Sequence, residues 1–161
     1  MKKPCTLFTV ACLAILGAGP AAAADEASMP SALKLAAARA QISAKNWPAA
    51  IAELKRVNDT RSADWNNLMG YSVRKGSTPD YAAAERYYDT ALRIDPSHRG
   101  ALEYSGELYL LLGHLDKAED RQARLARVCP SPCEELDDLG RAIEKYKADK
   151  AAGVAYVPPA E

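Results

Sequence analysis

Residues 99–130 read R-G-A-L-E-Y-S-G-E-L-Y-L-L-L-G-H-L-D-K-A-E-D-R-Q-A-R-L-A-R-V-C-P, and the organisation of the chain follows from them. Gly106 and Tyr109 sit three apart in a first apolar segment, which Gly113 closes. Ala118 and Leu125 fall in a second apolar segment, which Pro130 ends. This is the pattern of a helix, a tight turn and a second helix. The upstream sequence repeats it: Ala84 and Pro96 precede Ala118 and Pro130 by 34 residues, and Gly70 precedes Gly106 by 36. Self-similarity at this period is the signature of a helical solenoid, in which each unit buries its apolar face on the next.

Outward from that core, Ser31 can cap a helix reaching about Ala44, with Leu33, Leu35, Ala36 and Ile42 as its apolar face. Pro48 opens a second helix to about Asn58, with Ile51, Leu54 and Val57 on one side. After a polar loop, 58–62, a helix from Ala63 to Lys75 carries Trp65, Leu68, Met69, Gly70 and Val73. Thr78 reads as the N-cap of the next helix, Pro79 as its first residue and Asp80 as a complement to the positive helix end. That helix carries Tyr81, Ala84, Tyr88, Ala91 and Leu92 and stops at Asp95-Pro96. Ser97 caps the helix that follows. Ser131-Pro132-Cys133-Glu134 reads as a capping box with proline at the first helical position. It opens a final helix whose stripe is Leu136, Leu139, Ile143 and Tyr146.

The spacing of tryptophan or leucine, glycine, tyrosine, alanine, aromatic, alanine and proline resembles the tetratricopeptide repeat family. The resemblance covers residues 31–146, with units of about 31–60, 63–96 and 97–130 and a cap helix at 131–148. It implies an all-α, right-handed solenoid of about three helix pairs plus a C-terminal capping helix, with the first helix of each pair lining a concave face. Three departures stand out. The first unit lacks the glycine and tyrosine, Trp65 lies one residue early, and Gln122 replaces the aromatic that Tyr88 supplies one unit earlier. Gln122 therefore predicts a looser or more polar joint.

Met1-Lys2-Lys3, the apolar run 7–19 and Ala22-Ala23-Ala24 have the form of a secretory signal, 1–24, followed by a lead, 25–30. The apolar core is too short for a membrane span; a lipid anchor at Cys12 is the rival reading. Export to a periplasm is the expected location. Removing Lys2 and Lys3 leaves 19 basic and 21 acidic residues, so no basic excess favours a phosphate backbone. Residues 151–161 have no helical period and end in Pro158-Pro159-Ala160-Glu161, which reads as a flexible tail.

Cys129 and Cys133 remain beyond the signal, and a cysteine pair in an exported chain favours a disulfide stapling the cap helix to the last unit. Redox activity and copper binding with a histidine are the alternatives; His98 and His114 otherwise read as exposed loop residues. Tyr81, Tyr87, Tyr88, Tyr104 and Tyr109 read as packing between helices. Glu134-Glu135 and Asp137-Asp138 suit a helix N-terminus. No nucleophile triad, phosphate loop or zinc motif is present in the sequence, so neither enzyme activity nor a cofactor is expected.

By the resemblance, the groove-facing residues are Asn67, Tyr71, Arg74 and Lys75, then Glu103, Glu107 and Leu110, then Asp137 and Arg141. The carboxylate clamp of some relatives would fall on Leu33, Ala37, Leu68, Gly100 and Tyr104, which cannot form it. Glu103, Glu107 and Asp137 would make one end of the groove acidic, with Arg74 and Lys75 at the other. The expected occupant is an extended protein segment with a basic portion. The tail, through Val154, Tyr156 and Val157, is a further candidate occupant.

Overall fold

The structure, a computed structural model, describes residues 31–130 and 132–159, so the expected signal and lead lie outside the described residues. The helices are α1 (Ser31–Lys34), α2 (Ala36–Ser43), α3 (Trp47–Val57), α4 (Ala63–Lys75), α5 (Tyr81–Ile94), α6 (Arg99–Leu111), α7 (Leu115–Val128) and α8 (Glu134–Ala151). The fold is all-α: among the described residues there is no strand, and no helix is long and apolar enough to cross a membrane. Helices adjacent in sequence pack on one another, and α2 also packs on α4, α4 on α6 and α6 on α8.

Glycine permits two of these joints. A β-carbon on Gly70 would lie 2.7 Å from the Tyr88 ring, and one on Gly106 would lie 2.6 Å from a Leu139 methyl. The bare backbone of α4 thus seats Tyr88 of α5, and that of α6 seats Leu139 of α8. Trp65 closes the seam between α3 and α4, its indole N–H donating to the Leu54 carbonyl at 2.6 Å. One core cluster gathers Leu35, Ala38, Leu54, Trp65, Leu68 and Met69. Another runs through α5, α6, α7 and α8 and includes Leu102, Tyr109, Leu110, Leu125, Leu139 and Ile143.

Several helix ends differ from the sequence reading. The first helix breaks at Leu35, which is buried at 1% exposure, while Leu33 is 58% exposed and off the apolar face. α5 starts at Tyr81, not Pro79, and Asp80 is its cap, accepting from the Ala83 N–H at 2.8 Å. A carboxylate satisfies the positive helix end better than the Thr78 hydroxyl can. Ser97 does not cap α6: its N–H donates to Asp95 Oδ1 at 2.9 Å, and the next residue, His98, takes the cap through Nδ1. α8 starts at Glu134, not at Pro132, with Cys133 as its cap residue and no side-chain cap bond; Ser131 of the expected capping box lies outside the described residues. Cys133 is bonded to Cys129 instead.

Reversals after α2, α6 and α8 follow one pattern. Residues with positive φ, Lys45 (53°), Gly113 (82°) and Gly153 (68°), follow the helix ends. At α8 the Gly153 and Val154 N–H groups donate to the Lys150 and Asp149 carbonyls, which turns the chain back.

Candidate functional site

A cleft of about 370 Å³ opens between α4, α6 and α8. Its walls are Tyr71 and Tyr104, Glu103 and Glu107, and Glu134, Asp138 and Arg141, with Pro159 from the tail. Beneath it Arg74 donates to Glu107 at 2.8 Å, both side chains almost fully buried. The Arg74 guanidinium lies 5.5 Å from the Tyr71 ring and 5.6 Å from the Tyr104 ring, within cation–π range. The two rings are 4.7 Å apart and tilted by 41°. Trp47 meets Tyr71 edge-on at 5.8 Å, and Lys75 Nζ lies 5.8 Å from the same ring. The floor thus sets two aromatic rings against a guanidinium that is ion-paired with Glu107, with further acids on its rim.

Glu103 and Tyr104 also line a second cleft of about 420 Å³ beside the first. Asn67, Leu68, Gly100 and His98 form part of that second wall, with Arg39 and Asp64 at its edge. Asn67 is 7% exposed and its buried Oδ1 has no hydrogen-bond partner. His98 is not an exposed loop residue: its side chain is 13% exposed, and Nε2 lies 3.0 Å from Asp64 Oδ1. Because Nδ1 accepts the cap bond, Nε2 carries the proton that bonds Asp64. His114 is exposed, as read from the sequence.

The expected groove residues divide. Tyr71, Glu103, Glu107 and Arg141 line the first cleft, Arg74 underlies it, and Asn67 lines the second with Glu103. Leu110 does not: it is 1% exposed inside the core. Asp137 lies on another surface, a cleft between α7 and α8 that includes Gln122, Ala126 and Gly140. The acid beside it, Asp138, is the one facing Tyr71 and Tyr104, and it pairs with Arg141. Nor do the charges separate to opposite ends, since Arg74 is bonded directly to Glu107. Glu134, Asp138 and Tyr104 were read as helix-end or packing residues. The signal available was the spacing of Glu134, Asp138 and Arg141 at i, i+4 and i+7, which places them on one face.

Cys129 and Cys133 form a disulfide with Cα atoms 5.9 Å apart. Both are buried, and Glu135 Oε2 lies 3.5 Å from Cys133 Sγ and 4.0 Å from Cys129 Sγ. The three residues form a group with metal-ligand spacing that contains no histidine, whereas the copper alternative called for one. Glu135 Oε1 is 3.5 Å from Arg99 Nε, which ties the staple to α6 as well. No family model matches this chain, and no curated protein matches it.

Proposed function

We propose that the protein is an exported adaptor, built as a tetratricopeptide-like solenoid, that holds an extended segment of another envelope protein in the cleft between α4, α6 and α8. The observation that carries this reading is the Tyr71–Tyr104 pair set over the buried Arg74–Glu107 bond and rimmed by acids. Aromatic rings fixed from below give rigid apolar contact area at low entropic cost, while Glu103, Glu134 and Asp138 favour a cationic neighbour. The Cys129–Cys133 bond supports this as a staple between α7 and α8. Chain-entropy arithmetic gives so short a loop about 2 kcal/mol.

Defined peptides test it. Fluorescently labelled extended peptides of matched length, one basic and one acidic, are titrated into the full chain. The basic peptide binds more tightly, and its affinity falls as salt rises from 50 to 300 mM. Asp138→Lys with Glu134→Lys weakens it about tenfold or more; unchanged affinity refutes the groove assignment. Glu135 against the disulfide favours a second reading, a thiol-redox or metal-handling protein. Reduction of the pair by a mild dithiol, followed by stoichiometric Zn²⁺ or Cu⁺ uptake that Glu135→Gln diminishes, would support that reading over the first.

A further inference from the structure

The geometry points to the Tyr71–Tyr104 cleft as a proline-binding site whose resident ligand is the chain's own segment 154–159; this rests on the cleft being the binding groove. The ligand class it takes from a partner is an extended segment with proline beside lysine or arginine.

Residues 151–161 read as a flexible tail, yet three features hold the described part in place. The turn at Gly153 directs the chain back along α8 rather than away from it. Tyr156 then packs edge-on against Tyr146, ring centroids 5.2 Å apart, with its hydroxyl buried. Three residues on, Pro159 lies in the cleft with Tyr71, Tyr104 and Asp138. Of the residues expected to reach the groove, Val154 and Val157 instead point to solvent, at 56% and 64% exposure. Tyr156 is half-buried, and Pro159, though exposed, lines the cleft three residues on, which is the repeat of a polyproline II helix.

The lengths agree. From Arg141 to Ala151 a helix rises about 15 Å at roughly 1.5 Å per residue. Five extended residues from 154 to 159 cover about 15 Å at roughly 3.1 Å each. The segment thus returns to the level of Arg141 and Asp138, where Pro159 is found. Proline suits this position because it has no N–H to satisfy and is pre-ordered, so little entropy is lost when it docks on rings. The segment V-A-Y-V-P-P carries no charge. Its Pro159 lines the cleft, and the segment brings no cation to the exposed Glu134 on the rim. A partner segment that adds a lysine or arginine next to its proline gains what the resident lacks, and so displaces it.

The probe is a fluorescein-labelled peptide of residues 153–159 extended by Lys-Arg. It is titrated into the full chain, into Tyr156→Ala/Pro159→Ala, and into the same variant carrying Tyr104→Ala. We expect at least tenfold tighter binding to the double variant than to the unaltered chain, and loss of that gain with Tyr104→Ala. Equal affinity for the unaltered chain and the double variant overturns the resident tail, while the groove reading survives if Asp138→Lys still weakens the peptide. Binding indifferent to both Tyr104 and Asp138 overturns the groove itself. Should the probe bind none of the three, amide NMR decides the tail: Pro159→Ala shifts resonances around Tyr71, Tyr104 and Asp138, and an unchanged spectrum there overturns the proposal.

Discussion

The α4–α5 and α6–α7 hairpins carry glycine and alanine 36 and 34 residues apart but fill their joints differently. In the first, Tyr88 is fully buried against Gly70 and near Leu108. In the second, the position 34 residues later is Gln122, which is half-buried, lines an open cleft of about 520 Å³ and approaches Gly140. Leu139 of α8 takes over the role of filling the glycine notch, now at Gly106. The difference shows that a glycine notch can be filled by the next helix in sequence, as at Gly70, or by the helix after that, as at Gly106. It also shows why the last pair needs α8: without Leu139, the notch on α6 would stand open.

The sharpest way to break this contrast is to truncate both equivalents. Tyr88→Ala should lower unfolding free energy by about 3–5 kcal/mol, the usual cost of emptying a buried aromatic site. Gln122→Ala should cost less than about 1 kcal/mol, because its cleft is already open. Urea denaturation with matched slopes measures both. Similar losses at the two sites would mean that the joints are equally packed.

A smaller effect comes from adding one carbon at each notch. A β-carbon at Gly70 meets ring atoms at 2.7 and 2.9 Å, and the Tyr88 ring is enclosed on all sides. At Gly106 the obstacles at 2.6 and 2.7 Å are the two methyls of Leu139, which can turn about their own bonds. Overpacking costs about 1–3 kcal/mol, and the helix propensity of alanine over glycine returns about 1 kcal/mol. Gly70→Ala should therefore be destabilising by roughly 2 kcal/mol and Gly106→Ala close to neutral. The midpoint difference in urea reads this directly; a larger loss at Gly106 would reverse the assignment of the stiffer joint.

The same contrast marks what the sequence could carry. Apolar spacing and the glycine, alanine and proline positions located α4 to α8 to within a few residues, because helix period and breakers are local properties. Helix starts moved where two neighbouring residues competed for one role, as Thr78 with Asp80 and Ser97 with His98. The cleft was legible at Tyr71, Glu103, Glu107 and Arg141. It was missed by one residue on α8, where a shift from Asp137 to Asp138 turns the side chain by about 100° around the helix. The packing of Tyr156 on Tyr146 was not legible as a contact, because a segment with no period of its own takes its place from α8. Nor was the burial of Leu110, which depends on how α6 is rotated between its neighbours.

The smallest expected effect belongs to the second pair alone. Tyr109 on α6 is 5% exposed, and its hydroxyl lies 3.4 Å from Arg121 Nη2. Burial pushes its pKa above the ordinary value of 10.0; Arg121 opposes this, while Asp89 and Glu85 add to it. In the unfolded chain the phenol ionises at about 10, whereas in the folded chain it keeps its proton to higher pH. Above pH 10 the unfolded state therefore binds fewer protons than the folded state, and stability falls as pH rises. The contribution is complete below the unfolded pKa and is lost as pH rises through the folded one. Val73, 36 residues earlier on α4, has nothing to titrate. Tyr109→Phe keeps the ring beneath Lys117 and Arg121 but removes the proton, so it should flatten the decline in stability between pH 9.5 and 11. Urea midpoints across that range, compared between the two proteins, give the slope. An unchanged slope would mean that alkaline lability originates elsewhere and that the two pairs do not differ in this respect.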